Sequence, residues 1–346
     1  MRIQAFLATL LAAGIGLTLQ QSSVPLKQPD YTRAMTYNIQ WFHDGDDPTR
    51  LKNLKEVLDD IKPDIVGVQE VEGKAALQQI FDNEWALGIM DIPAEYQEIG
   101  IAVRKPYRLL SYELIFTGEE LNYAFPGDRD VMRAVIETPN KKTLVVYVNH
   151  FKSRSGGRMQ TDAQRQMACG MLAAYIANKG DENVIVMGDF NDAPNDASTN
   201  ILESGNVLAK GGPKGEYTLL ANATEALAEQ DYVTIGLHDL YSGGAPVRAR
   251  VVGAKAENDR LRGRDYRFPA DVRITQSFFD QILVSPNLFA RGANARVYDG
   301  VAAYRGLPGR VQVTNIPETG GRSVVYTEKG TLASDHLPVY VDVQVR

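Results

Sequence analysis

Short apolar segments with the composition of β-strands recur along the chain, and they constrain the possible fold more than any other feature. They are rich in Val, Ile and aromatic residues, which favour extended backbone. Two stretches instead have the pattern of helices, one from Leu51 to Ile61 and one from Asp162 to Asn178. The predicted strands are Arg33–Trp41, Asp64–Val71, Glu98–Arg104, Val131–Glu137, Leu144–Asn149, Asn183–Met187, Phe278–Ser285 and Val339–Val345.

Many short strands with few helices predict an α+β fold built as a four-layer α/β sandwich. Helices would flank two packed β-sheets of mainly antiparallel or mixed strands. No repeat, low-complexity tract or Pro/Gly/Ser-rich linker divides the sequence, and its candidate functional residues extend from Asn38 to His336. A site assembled from both ends of a sequence requires one folded unit. We therefore expect a single domain over residues 23–346.

The composition excludes some classes of protein. Hydrophobic residues make up 44% of the 346 residues and charged residues 23%, which is the balance of a globular protein rather than of a disordered chain. The formal net charge of −6 argues against a uniformly basic nucleic-acid-binding protein. It does not exclude a phosphate substrate, because a divalent cation bound in a cleft can reverse the local charge.

The N-terminal segment, residues 1–22, has the pattern of an export signal, with Arg2 preceding an apolar run from Ala5 to Leu19. The run is near the upper length limit for a signal peptide and no clear cleavage site follows it, so an uncleaved membrane anchor is the alternative. Both interpretations predict export, to the periplasm or the medium. Cys169 is the only cysteine, which excludes an internal disulfide and predicts a buried apolar role on a helix.

A set of polar residues stands where apolar strands end, a position from which side chains can project from a rigid scaffold into a cleft. Each residue alone is weak evidence, since a lone Glu or His usually has a structural role. Together they supply hard oxygen donors, which suit Mg²⁺ or Mn²⁺. The absence of paired cysteines and of any His-x-x-x-His spacing argues against zinc. The residues are Asn38, Glu70, His150, Asp189, Asn191, Asp280, Asp335 and His336.

Most of these residues belong to five short motifs. The motifs are Tyr37-Asn38, Gln69-Glu70-Val71, Asn149-His150-Phe151-Lys152-Ser153, Gly188-Asp189-Phe190-Asn191 and Ser334-Asp335-His336-Leu337-Pro338. In order and approximate spacing they resemble the motif series of the endonuclease/exonuclease/phosphatase superfamily, and the resemblance covers nearly everything after the N-terminal segment. It implies a metal-dependent enzyme that hydrolyses phosphodiester or phosphomonoester bonds.

The resemblance also implies a metal site. Glu70 would be the main ligand, with Asn38 and Asp335 assisting directly or through water, and Asn38 would also contact the substrate phosphate. The cation neutralises the charge of a phosphate and stabilises the leaving oxygen, so no protein nucleophile is needed. Mg²⁺ is the expected cofactor, with Mn²⁺ or Ca²⁺ as alternatives.

Five residues would carry the hydrolysis if the resemblance holds. Asp189 and Asn191 would aim at the attacking water and a phosphate oxygen. His336 would accept the proton of that water or donate a hydrogen bond to the scissile phosphate, and Asp280 would orient its imidazole ring. His150 would hold the opposite side of the phosphate.

Further contacts with the phosphate are expected from Arg133 and Lys152. Arg133 resembles the family's phosphate-clamping position, and a surface arginine on a strand is an equal alternative. A nuclease would extend these contacts along a groove formed by Lys152, Arg154, Arg158 and the basic stretch around residues 248–273. The alternative interpretation of that stretch is a solvated loop.

Three hypotheses about function remain, because members of one fold share a catalytic core across different substrates. A secreted nuclease is favoured, since the pair Asp280-Gln281 and the segment Lys152-Ser153-Arg154 resemble bacterial extracellular nuclease-like members. A phosphomonoesterase or a sphingomyelinase-type phosphodiesterase is the alternative. A non-catalytic binding module is disfavoured, because it need not keep a metal ligand, a base and an orienting carboxylate together. The expected partner is a phosphate-ester substrate such as nucleic acid; no stable protein partner is indicated, and we expect a monomer.

Overall fold

The structure is a computed structural model that describes residues 24–93, 95–127, 129–154, 158–212, 218–229, 232, 234–235, 278–298, 300 and 333–346, with the backbone of five short strands between residues 241 and 324. The predicted N-terminal segment, the side chain of Arg158 and nearly all of the basic stretch around residues 248–273 lie outside the described residues. Among the helices that are described, none has the length and apolar character needed to cross a membrane.

Six strands form the first β-sheet. They are β1 (Thr32–Phe42), β2 (Ile65–Val71), β3 (Trp85–Ile89), β4 (Glu98–Arg104), β14 (Asn294–Val297) and β17 (Val339–Val343). Their spatial order is β14-β17-β1-β2-β4-β3. The strands β1 and β2 are parallel, and every other neighbouring pair in this sheet is antiparallel.

The second β-sheet also has six strands. They are β5 (Arg108–Ile115), β6 (Val131–Glu137), β7 (Thr143–His150), β8 (Val184–Asp189), β9 (Ala221–Asn222) and β13 (Asp280–Val284), in the order β5-β6-β7-β8-β13-β9. Only β7 and β8 are parallel among these pairs. Short strands outside the two sheets are β10 (Tyr241–Ser242), β11 (Ala245–Pro246), β12 (Ala249–Arg250), β15 (Val313–Ile316) and β16 (Gly321–Val324).

Helices connect the strands and cover the sheets. In the described part of the chain they are α1 (Pro48–Ile61), α2 (Gly73–Ile80), α3 (Arg158–Lys179), α4 (Ala197–Ser204), α5 (Glu225–Glu229) and α6 (Pro286–Phe289), with a 3₁₀ turn at Glu119–Leu121. The helix α1 begins where the sequence provides a cap, because the Asp47 side chain accepts the N–H of Thr49 at 2.7 Å.

The two sheets pack face to face because strand residues point alternately to opposite faces. Along β7, Val148 packs in the core between the sheets, whereas Tyr147 packs in a second core beneath α3. Gly67 of β2 lets the sheets approach closely, since a Cβ atom there would lie 2.8 Å from the Cε atom of Met187. Two mixed sheets packed between helices confirm the predicted α+β four-layer sandwich.

Candidate active site

One edge of the sandwich collects the ends of strands from both sheets. His150 ends β7 and is in register with Asp189, the last residue of β8. Asp280 begins the antiparallel strand β13 and is also in register with Asp189. Asn38 and Glu70 lie near the ends of the parallel strands β1 and β2. The edge therefore brings together five of the predicted site residues.

The Asn38 side chain joins the two sheets. Its Nδ2 donates to Glu70 Oε1 at 3.1 Å and to Asp189 Oδ2 at 3.2 Å. Its Oδ1 accepts the backbone N–H of Gln40 at 3.0 Å. Asn38 is fully buried and acts as a donor that holds two carboxylates together, while its oxygen accepts a hydrogen bond from the backbone.

Glu70 projects into the site from an irregular part of its strand. Its φ of 59° lies in the left-handed region, and the register of β2 with β4 shifts between Gln69 and Val71. Such irregularities can re-aim a side chain. Burial raises the pKa of Glu70, while the charge of His336 and the hydrogen bond from Asn38 oppose this rise.

The position before Asp189, Gly188, accepts no residue other than glycine. A Cβ atom at Gly188 would lie 1.9 Å from the carbonyl oxygen of Asn149, on the neighbouring strand. The Asp189 Oδ1 atom accepts the backbone N–H of Asn191 at 2.8 Å. Burial raises the pKa of Asp189 to about 7, against the opposing charge of His336. Asp189 can therefore exchange a proton near neutral pH.

His150 lies between the two carboxylates. Its Nε2 atom is 3.5 Å from Glu70 Oε1 and 3.7 Å from Asp189 Oδ2. Burial lowers the pKa of His150 well below its ordinary value, and the positive charges of Arg129 and His336 lower it further. The ring is consequently neutral near pH 7 and can offer a lone pair.

His336 pairs with Asp280, as the sequence predicts. The His336 Nδ1 atom is 2.7 Å from Asp280 Oδ2, and its Nε2 atom is 3.9 Å from Asp189 Oδ2. Burial acts to lower the pKa of His336, but the charge and hydrogen bond of Asp280 outweigh it and raise this pKa well above its ordinary value. His336 is therefore an imidazolium at neutral pH.

The turn that carries Asp335 and His336 is fixed to β1 by Ser334. The Ser334 hydroxyl donates to the carbonyl oxygen of Asn38 at 2.7 Å and accepts the N–H of His336 at 3.1 Å. Asp335 is half-buried at the rim of the site. Its negative charge contributes to the raised pKa of Glu70, so the two carboxylates interact.

Arg129 adds a positive charge beside the carboxylates. Burial lowers the pKa of its guanidinium, while the charges of Glu70 and Asp189 act in the opposite direction. Burial and then the charge of Arg129 lower the pKa of Lys152, which shows that the two cations interact. Sequence reasoning missed Arg129, although an arginine two residues before the predicted strand Val131–Glu137 was the available signal.

The structure places Arg133 elsewhere. Its guanidinium lies 3.1 Å from both carboxylate oxygens of Asp181 and 3.3 Å from the Tyr147 hydroxyl. Tyr147 packs in the core beneath α3, on the outer face of the second sheet, and Asp181 precedes β8 at the end opposite to Asp189. The phosphate contact predicted for Arg133 has no support in this placement, because strand alternation turns its side chain away from the site edge.

The side chains that follow β7 and β8 are tied to one another. The Asn191 Nδ2 atom donates to the carbonyl oxygen of Phe151 at 3.0 Å. Arg154 donates to the carbonyl oxygen of Asn191 at 2.9 Å and contacts Asp192 at 3.0 Å and Asp196 at 2.8 Å. The expectation that Arg154 lines a substrate groove is therefore wrong, because its guanidinium is buried in an ion-pair network.

Three of the site residues fit a metal ion. Glu70, His150 and Asp189 each offer one ligand atom, and these atoms lie within 4.8 Å of one another. A half-buried carboxylate, a buried carboxylate and a neutral imidazole form a donor set that a divalent cation can satisfy. Asp335, a predicted ligand, is not part of this group.

Two packed mixed sheets carry carboxylates and imidazoles together at one edge. Residues 35–336 match the Endonuclease/Exonuclease/phosphatase family. The chain belongs to this family, which confirms the resemblance drawn from its motifs. None of the curated proteins compared with this chain matches it.

Solved structures share this fold at low sequence identity. TDP2 of D. rerio, complexed with a single strand DNA product, has a TM-score of 0.54 and 16% identity, covering 90% of this chain and 98% of that chain. An endonuclease/exonuclease/phosphatase from Bacteroides vulgatus has a TM-score of 0.52 and 16% identity, covering 91% of this chain and 99% of that chain. At this identity the similarity concerns the fold alone.

Proposed function

We propose that this protein is a metal-dependent nuclease that hydrolyses phosphodiester bonds by attack of water. The observation that carries the proposal is the grouping of Glu70 and Asp189 with a neutral His150 and a cationic His336 at one edge of both sheets. A phosphodiester brings negative charge to such an edge, and the group offers a cation site, a proton acceptor and hydrogen-bond donors for it.

A bound Mg²⁺ or Mn²⁺ would neutralise charge on the phosphate and stabilise the leaving oxygen. Glu70 is the residue that would hold it, because it belongs to the group that fits a metal ion and its carboxylate interacts with Asp335. Asn38 supports this role, since its amide fixes the Glu70 carboxylate in place.

The pKa directions separate the proton-transfer roles. Asp189 would accept a proton from the attacking water, because burial favours the protonated form of its carboxyl and its Oδ2 atom lies 3.9 Å from His336 Nε2 within the site. His336 is already protonated because of Asp280, so it serves as a hydrogen-bond donor to a phosphate oxygen. Of the two roles that the sequence leaves open for His336, the raised pKa favours donation of a hydrogen bond to the phosphate. His150 would contact the phosphate from the other side.

A nucleic-acid substrate is supported by charge at the same edge. Arg129 and Lys152 interact with each other, and Arg129 also interacts electrostatically with Glu70 and Asp189. Cations beside a metal site suit the closely spaced phosphates of a nucleic acid. TDP2 of D. rerio, which shares the fold, holds a single strand DNA product.

We also propose that residues 1–22 direct export.

The test is hydrolysis by the purified protein. Plasmid DNA, RNA, sphingomyelin and inositol phosphates are incubated with Mg²⁺, Mn²⁺, Ca²⁺ or a chelator, and we expect chelator-sensitive cleavage of DNA or RNA. His336→Ala should lose this activity, and His43→Ala, at an exposed histidine, is the matched control. Cleavage of sphingomyelin or inositol phosphates alone would replace the nuclease by the alternative enzyme. Absence of hydrolysis with every metal would favour a binding module.

A further inference from the structure

The strand β1 is irregular where it passes Glu70. Its register with β2 shifts between Asn38 and Phe42, so that residues 39–41 lie across from Glu70 alone. Neighbouring strands are about 5 Å apart. This bulge, residues 39–41, therefore runs alongside Glu70, the residue that would hold the metal ion.

The bulge contains two consecutive residues with uncommon backbone angles. Gln40 and Trp41 have φ values of 47° and 51°, in the left-handed region. A bulky aromatic residue rarely adopts this region, and it persists there only where the surrounding structure imposes it. Such outliers concentrate at functional sites, so the bulge requires an explanation beyond folding.

Hydrogen bonds impose this conformation from both sides. The Gln40 N–H donates to Asn38 Oδ1 at 3.0 Å, and Gln40 Oε1 accepts the N–H of Asp335 at 3.2 Å. The Arg50 guanidinium donates to the carbonyl oxygens of Ile39 and Gln40. The bulge is thus a rigid extension of the turn and the strand that carry the site residues.

The result of this construction is an exposed tryptophan. Trp41 is 60% exposed, whereas Ile39, two residues before it, and Phe42, directly after it, are buried. The second tryptophan of the chain, Trp85, packs against Phe81 with ring centroids 5.1 Å apart. Core packing therefore accounts for Trp85, and it does not account for Trp41.

We propose that Trp41 is a substrate-binding residue that stacks on a nucleobase next to the phosphate held at Glu70. The inference rests on the proposed nuclease function. An indole ring carries no positive charge to attract a phosphate, but its planar face matches the planar face of a base. Stacking of this kind tolerates any base sequence, because every base presents such a face.

Steady-state kinetics on single-stranded oligonucleotides test the proposal. Trp41→Leu should raise KM by about 5- to 150-fold, which is the range expected for loss of one stacked base. The kcat should change much less, and an abasic oligonucleotide of the same length should show no comparable rise in KM. Trp41→Phe should restore most of the wild-type KM, because a phenyl ring still stacks. An unchanged KM for Trp41→Leu, with normal thermal stability, would overturn the proposal.

Fluorescence separates this inference from the nuclease proposal. In the Trp85→Phe variant, Trp41 is the only tryptophan, and a phosphorothioate oligonucleotide should quench its emission. The abasic oligonucleotide with the same linkages should not, and neither should inorganic phosphate. Equal quenching by both oligonucleotides contradicts stacking on a base. If the wild type cleaves no nucleic acid, the nuclease proposal is refuted, and quenching still decides about Trp41 because it requires only binding.

Discussion

Asp280 and His336 should act as one unit, so the effects of Asp280→Asn and His336→Ala on kcat/KM should not multiply. The carboxylate oxygen and Nδ1 are 2.7 Å apart, and both side chains are almost completely buried. At an effective dielectric constant of about 20, unit charges at this distance attract by roughly 6 kcal/mol, and the burial of both groups offsets part of this. A remainder of about 3–5 kcal/mol corresponds to a rate loss of about 10²–10⁴-fold for each single variant.

The double variant is expected near the level of the worse single variant, because without the imidazole the Asp280 carboxylate has nothing left to polarise. The assay is a double-mutant cycle on oligonucleotide cleavage, with circular dichroism to show that each variant is folded. Asp181→Asn, at the carboxylate that pairs with Arg133 on the outer face, is the matched control and should retain wild-type kcat/KM. Fully multiplicative losses in the cycle would refute the assigned pairing.

Three further predictions concern the metal, the pH dependence and the cysteine. Glu70→Gln should lose both Mg²⁺ binding, measured by calorimetric titration, and metal-dependent turnover. The control Glu72→Gln should retain both. If Glu70→Gln binds Mg²⁺ as tightly as the wild type, Glu70 is not a metal ligand. Asp189→Asn should raise the Tm of the metal-free protein at about pH 8 and leave it nearly unchanged at about pH 4. The reason is that burial raises the pKa of Asp189 to about 7, whereas its unfolded pKa is about 3.9. Below the unfolded pKa the carboxyl is neutral in both states and does not oppose folding. As pH rises towards and through 7, ionisation increasingly favours the unfolded state, and Asn removes this effect. An equal change in Tm at both pH values would contradict this sign. Cys169 is buried and burial raises the pKa of its thiol, so it should react with a thiol reagent only after denaturation; rapid labelling of the native protein would show that it is accessible.

The sequence predicts the inner strands well because their residues are buried and apolar. The predicted ranges Glu98–Arg104 and Val131–Glu137 agree with β4 and β6. The strand Arg108–Ile115 was missed, since it lies at a sheet edge with most of its side chains exposed. The helix Ala197–Ser204 was missed for the opposite reason, because its polar residues are buried and leave no amphipathic pattern.

The candidate site was predictable where a side chain follows a strand end directly. His150 and Asp189 meet at the edge because the parallel neighbours β7 and β8 end on the same side, and Asn38 reaches Asp189 from within β1. The choice between Arg129 and Arg133 was not predictable from the motifs, since it depends on which face of β6 turns towards α3. Burial lowers the pKa of both His150 and His336, and only His336 has the buried partner Asp280 that raises its pKa again; this pairing is likewise a property of the three-dimensional packing.

The hydrogen bond from Ser334 to the Asn38 carbonyl oxygen has a consequence for folding kinetics. It joins residues 296 positions apart, and β1 pairs directly with β17 from Thr32 with Val343 onwards. Contacts of such long sequence separation form slowly, because the chain must first close a large loop. Local helices and hairpins can form before this closure, but His336 cannot reach its partners at the site edge. Recovery of activity after dilution from denaturant should therefore lag behind recovery of the circular dichroism signal. The delay between the two signals would measure how slowly this long-range contact forms.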